Sequence, residues 1–196
     1  MNRTTRSAAP APRPLLTAAK PPRVLNGGWI PFLPILALLF ANLVFASTAK
    51  AATPLTLEQL KRDPNLTPNR LMSYFRDFEF KLNDKRQAPE TFLASRSGDC
   101  DDFAALAAEV LREKKYTTRL IAVFMKDQTH VVCYVEEVHG YLDFNRRAEA
   151  CPVQSAGGKL EEVADRVAAS FHSAWRSVCE FTYQADCPQY QQIVFR

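Results

Sequence analysis

The spacing of apolar residues changes period near Lys115, and that change limits the folds open to this chain. Cys100, Phe103, Ala104, Ala107, Val110 and Leu111 recur at helical intervals in an Ala-rich stretch, so Cys100 to Lys114 reads as a helix with one core-facing side. Arg119 to Met125 and His130 to Val135 are instead rich in Val, Ile, Phe and Tyr, and Tyr141 to Phe144 makes a third short strand. Upstream, Pro54, Pro64 and Pro68 punctuate an extended segment with one short helix near Leu57 to Lys61. Leu71, Tyr74, Phe75, Phe78 and Leu82 then predict an amphipathic helix from Pro68 to Leu82 with Thr67 as N-cap, and Pro89 opens another through Leu93. Helices followed by a meander define an α+β fold, with a small antiparallel sheet packed against the Cys100 helix. Gly157-Gly158 breaks the chain before a last helix, Leu160 to about Cys179, and a tail strand at Gln192 to Phe195.

The formal charge of +4 is misleading until it is located. Residues 1–52 hold six bases and no acid, which leaves nineteen bases against all 21 acids and makes the part from Thr53 onward net −2. A nucleic-acid partner is therefore not expected. The first 51 residues have a basic start, no charged side chain from Val24 to Ala49, an apolar heart from Trp29 to Phe45, and the small-x-small site Ala49-Lys50-Ala51. That order is a secretory signal. Retained, the 29–46 stretch is near the lower length limit of a spanning helix and would serve as a membrane anchor. Either way the working domain is expected outside the cytoplasm, periplasmic or extracellular. The division expected is a signal peptide or signal-anchor at 1–51, an extended segment at 52–69, and one domain at 70–196.

Ser97-Gly98-Asp99-Cys100-Asp101-Asp102-Phe103 puts a cysteine in the first turn of the buried helix. Free backbone amides and the positive end of the helix dipole there favour thiolate over thiol; a merely buried structural cysteine is the plain alternative. Thiol chemistry needs an imidazole and a third group to orient it. His130 opens one predicted strand and Asp143 lies in the next. A tight turn at Glu136-Glu137 sets His130 directly across from Asp143 on one face, whereas a turn centred on His139-Gly140 sets Asp143 opposite Glu136 and separates them.

Ala88-Pro89-Glu90-Thr91-Phe92-Leu93 leading into Ser97 to Ala104, with Thr129-His130-Val131-Val132 and Tyr141-Leu142-Asp143-Phe144-Asn145 downstream, resembles the transglutaminase-like cysteine peptidase superfamily, in particular its bacterial cysteine proteinase branch. The resemblance implies a papain-like core, a Cys100, His130, Asp143 triad, and acyl transfer from a peptide or protein substrate through a thioester. Water as acceptor makes a peptidase or amidase, an amine makes a cross-linker, and a triad out of register leaves an idle binding module. The Cys100 amide would form part of an oxyanion hole, with Gln87 either a second donor or a surface residue.

Three carboxylates beside the nucleophile work against a thiolate unless they cap the helix, point away or hold a cation. Asp99 with Asp102 three residues on fits a capping arrangement. In the branch that cleaves bacterial surface adhesins, acidic residues flanking the cysteine bind calcium, and Asp99 and Asp101 occupy the matching positions. The chemistry itself needs no cofactor. Cys133, Cys151, Cys179 and Cys187 remain as an even set; Cys179 with Cys187 is the favoured disulfide, and Cys133 either joins Cys151 or is simply buried. No C-x-x-C or H-x-x-x-H spacing suggests zinc. His139 is expected near an exposed turn and His172 packed in the last helix.

Overall fold

The computed structural model describes residues 55–196. The expected leader at 1–51, with its export signal or its anchor at 29–46, lies outside them. Among the described residues no helix is long and apolar enough to cross a membrane.

Short helices come first. Thr56 caps α1 (Leu57–Arg62), its hydroxyl accepting from the Gln59 amide while the Gln59 side chain accepts from the Thr56 N–H. Thr67 caps α2 (Pro68–Tyr74), with Pro68 in the first turn where its missing N–H costs nothing. This helix does not continue to Leu82 as its spacing predicts. After Tyr74 the chain turns so that Phe75 and Phe78 enter the core from two directions, ring centroids 4.7 Å apart, and both meet Phe92. A straight helix would line both rings along one stripe; the turn lets neighbours enclose them. Leu82 falls outside the core, 78% exposed.

β1 (Glu79–Phe80), α3 (Pro89–Ser95) and β2 (Ser97–Gly98) lead to α4 (Cys100–Glu113). β1 and β2 pair in parallel, Phe80 against Gly98. Then come β3 (Thr118–Met125), β4 (Thr129–Val135), β5 (Gly140–Leu142), β6 (Val153–Ser155), α5 (Leu160–Ser170), β7 (Trp175–Gln184) and β8 (Cys187–Phe195). They form one antiparallel sheet in the order β6-β5-β4-β3-β7-β8.

The α+β architecture thus matches the sequence reading, with one substantial correction at its C-terminal end. The last helix stops at Ser170, His172 sits in an exposed turn with φ 50°, and the stretch expected to complete the helix begins β7. Without β7, β3 would be an unpaired edge carrying Leu120, Ile121 and Val123; pairing that edge outweighs the helical spacing of Leu160 to Cys179. The sheet is buried on both faces. Leu120, Ala122, Val131, Cys133 and Val135 pack with the helices α1 to α4, and Ile121, Val123, Val132, Tyr134 and Tyr141 pack against α5.

All five cysteines are free. The β7–β8 ladder sets Cys179 opposite Ile193 and Cys187 opposite Gln184, which separates the favoured disulfide partners by roughly 17 Å along the strand. A disulfide needs Cα atoms within about 7 Å, so that pairing is corrected. Cys133 is buried under α4 while Cys151 is exposed.

Candidate active site

The start of α4 is held by bonds local to it and by one loop. Asp99 is the N-cap and, with Asp102, forms a capping box: Asp102 Oδ2 accepts from the Asp99 N–H at 3.1 Å, and Asp99 Oδ1 accepts from the Asp102 N–H at 3.5 Å. Asp102 also accepts from the Gln87 N–H, from Gln87 Nε2 at 2.8 Å and from Asn83 Nδ2 at 3.1 Å. Gly98 is required here by close approach. A Cβ at this position would lie 2.5 Å from Asp102 Oδ2, 2.6 Å from Phe92 Cδ2 and 2.8 Å from Gln87 Nε2.

Gln87 is half-buried rather than on the surface. Its two amide hydrogens point at Asp102 Oδ2 and at the Ser97 carbonyl, 3.0 Å away. In this arrangement it braces the loop that leads into α4. The Cys100 N–H, at the first helical position, has no acceptor within the helix.

His130 and Asp143 are 3% and 1% exposed, with Nε2 2.8 Å from Asp143 Oδ1. The same carboxylate oxygen accepts from the Asn145 N–H at 2.9 Å, while Oδ2 has no partner among the described residues. The ladder that brings them together is neither of the two registers weighed above. Val135 pairs with Gly140, Tyr134 with Tyr141 and Cys133 with Leu142. The connection is therefore four residues, a 3-10 turn at Glu136–Val138 followed by exposed His139 at φ 46°. Relative to the tight turn this is a slip of two. Because side chains repeat every two residues, Asp143 keeps its face and meets His130 on the diagonal.

Asp143 engages Nε2 and leaves Nδ1 as the other ring nitrogen. Burial alone would discharge His130, but the Asp143 carboxylate at hydrogen-bond distance, with Cys100 acting in the same direction, outweighs it and holds the imidazole up at about 10. Phe171, just past α5, closes the other side, its ring 4.9 Å from the imidazole at 63°. Burial has the opposite consequence for two other cysteines: it pushes the Cys133 thiol up to about 12 and raises that of Cys179, which keeps both unreactive.

Asp99, Asp101 and Asp102 each offer an oxygen within 4.8 Å of the others. Asp102 is engaged by its four donors. Asp101 accepts from Tyr183 Oη at 3.4 Å through Oδ2, whereas its buried Oδ1 has no partner among the described residues. Burial first, then Asp99 and Asp102 nearby, push the Asp101 carboxyl up to about 7. Sequence reasoning missed Asn83, Tyr183 and Phe171. Asn83 and Phe171 carry no motif, and Tyr183 was not expected near Asp101 because β7 was not foreseen.

Cys100 opens the capped first turn of α4, and His130 and Asp143 form a buried hydrogen-bonded pair. The model of the transglutaminase-like superfamily matches residues 54–155, and the chain belongs to that superfamily. Curated protein sequences give no match. Among solved structures the chain is similar to calcium-bound Legionella pneumophila LapG, with 17% identity, a TM-score of 0.44, and 68% of this chain and 73% of that one covered. The EGTA-treated form of LapG gives 17% identity and a TM-score of 0.42 over 68% and 71% of the two chains.

Proposed function

We propose that this protein is an exported thiol hydrolase that cleaves a peptide or amide bond through Cys100, His130 and Asp143. The observation that carries the reading is the buried His130–Asp143 pair, Nε2 to Oδ1 at 2.8 Å, together with a cysteine at the capped start of α4. In this reading Cys100 reacts as the thiolate and His130 as the imidazolium. Cys100 Sγ attacks the carbonyl carbon, and the developing oxyanion is met by the Cys100 N–H. Nδ1 of His130 gives its proton to the leaving nitrogen, the C–N bond breaks, and the acyl group remains as a thioester. Neutral His130 next takes a proton from water, whose oxygen attacks the thioester; the acid leaves and the thiolate–imidazolium pair returns. Asp143 holds the ring orientation throughout. An amine in place of water would give a cross-linked product by the same steps.

Calcium fits the acidic side of this site in part. The unpartnered Asp101 Oδ1 and the Asp99 carboxylate are hard oxygen donors, whereas Asp102 is occupied as a brace. Bound there, the ion would neutralise charge beside Cys100. Without it, Tyr183 Oη donates to Asp101 Oδ2 at 3.4 Å. Export rests on the sequence of residues 1–51 and is tested by fractionating cells and sequencing the N-terminus of the protein.

Alkylation by iodoacetamide, followed by mass spectrometry of the Cys100 peptide, tests the enzyme reading. Cys100 is expected to react faster than exposed Cys151 and to slow in His130→Ala. A rate equal to that of Cys151 and indifferent to His130 would overturn it. Mass spectrometry of candidate envelope proteins after incubation then distinguishes new termini from amine incorporation.

A further inference from the structure

Six large apolar side chains are exposed among the described residues, and five of them fall into two groups, one beside the N-cap of α4 and one on β8. Phe80 and Leu82, 47% and 78% exposed, form the first. Phe80 pairs with Gly98, and the flanking bonds from the Lys81 N–H to the Gly98 carbonyl and from the Asn83 N–H to Asp99 run this segment alongside the N-cap of Cys100. In a parallel ladder Gly98 bonds to the residues on either side of Phe80, which turns the main chain of Phe80 itself outward.

Tyr190, Ile193 and Phe195 form the second group, on β8, together with half-buried Phe124. They line a hollow of about 300 Å³ that no charged side chain enters. Phe124 is opposite Thr129, the residue before His130, and packs on the same core and the same sheet face as Cys100. α4 lies chiefly over β4 and β3. The β7–β8 hairpin that supplies the wall lies outside the superfamily match at 54–155.

We propose that the substrate is an extended peptide seated between these two walls, and that the enzyme selects segments carrying large apolar side chains beside the bond it breaks. The inference rests on the thiol-hydrolase reading. An extended peptide would satisfy the outward main chain of Phe80 while its alternate side chains meet apolar surface, the combination on which strand addition depends. The absence of charge in the β8 hollow disfavours acidic or basic residues there, since they would lose water without gaining a partner.

Full-length protein is treated with peptidyl chloromethyl ketones, whose alkylation of Cys100 expels chloride and needs no turnover. One carries a Phe-Leu sequence and another Asp-Lys, with labelling at Cys151 as the reference in the same molecule. The apolar reagent is expected to label Cys100 at least about tenfold faster, and the preference is expected to vanish in Leu82→Asp/Ile193→Asp, whose fold is checked by circular dichroism. Equal rates for the two reagents would overturn the inference, as would a preference that survives the double substitution. Loss of a dimer in the double variant, with the preference unchanged, would assign the walls to self-association instead. Ordinary, His130-independent iodoacetamide labelling of Cys100 would overturn the underlying hydrolase reading, so the two failures are distinguishable.

Discussion

His130 and Asp143 meet across a diagonal of the β4–β5 ladder, Nε2 to Oδ1 at 2.8 Å, with both side chains out of water. Removing the carboxylate leaves a buried imidazolium without its orienting partner. Asp143→Ala is expected to lower stability by about 3–5 kcal/mol. The gentler Asp143→Asn should fold, yet lose about 10²- to 10⁴-fold in Cys100-dependent turnover through the wrong ring tautomer. Urea unfolding and kcat/KM check the two effects separately; an Asn variant of undiminished activity would remove Asp143 from the mechanism.

The charge on His130 makes stability depend on pH in a stated direction. The folded-state value, about 10, is raised above the ordinary 6.5, so the native state holds the proton more tightly than the unfolded chain. The contribution is complete below about 6.5 and declines as pH rises through the window to about 10. Cys100→Ser removes one partner and should shift the His130 titration downward, which the carbon-bound ring protons report by NMR. A ring that titrates near 6.5 in the wild-type fold would contradict this account.

Gly98→Ala should be costly despite its small size. The added methyl meets Asp102, Phe92 and Gln87 at 2.5–2.8 Å, and Asp102 cannot yield without releasing its other donors. A loss of about 1–3 kcal/mol is expected, accompanied by slower alkylation of Cys100. A melting temperature equal to wild type would mean that the loop relaxes freely.

Calcium and Asp101 should show up together in thermal melts. Asp101 is held above its ordinary range by burial and by Asp99 and Asp102, at about 7 against 3.8, so stability falls as pH rises from about 3.8 to about 7 and the loss is complete above that. Asp101→Asn is expected to melt higher than wild type at pH 8 in EGTA. Calcium at a hundredfold excess over its Kd would add about 2.7 kcal/mol to wild type and little to the variant. Identical melts of wild type with calcium and with EGTA would dismiss the ion.

What was legible in the sequence was local. The Thr67 and Asp99 caps, the amphipathic face of α4 and the β3–β4 hairpin each depend on residues a few positions apart. The common face of His130 and Asp143 was legible for the same reason: strand parity survives a slip of two. Leu160 to Cys179 misled because Ala, Val and Phe at helical spacing do not reveal that β3 needs a partner on its open side. The bracing by Gln87 was not legible because its partners, Asp102 and the Ser97 carbonyl, lie ten or more residues away.

The sequence by itself therefore determined where the nucleophile helix begins, which face of each strand carries His130 and Asp143, and that the net charge belongs to the first 52 residues. Caps and strand parity act within a few residues, so they are written locally. Only the tertiary structure decided that His130 and Asp143 meet at 2.8 Å, that β7 completes the sheet, and that all five thiols stay free. Those outcomes depend on which distant surfaces bury each other, and burial is a property of the whole packed chain.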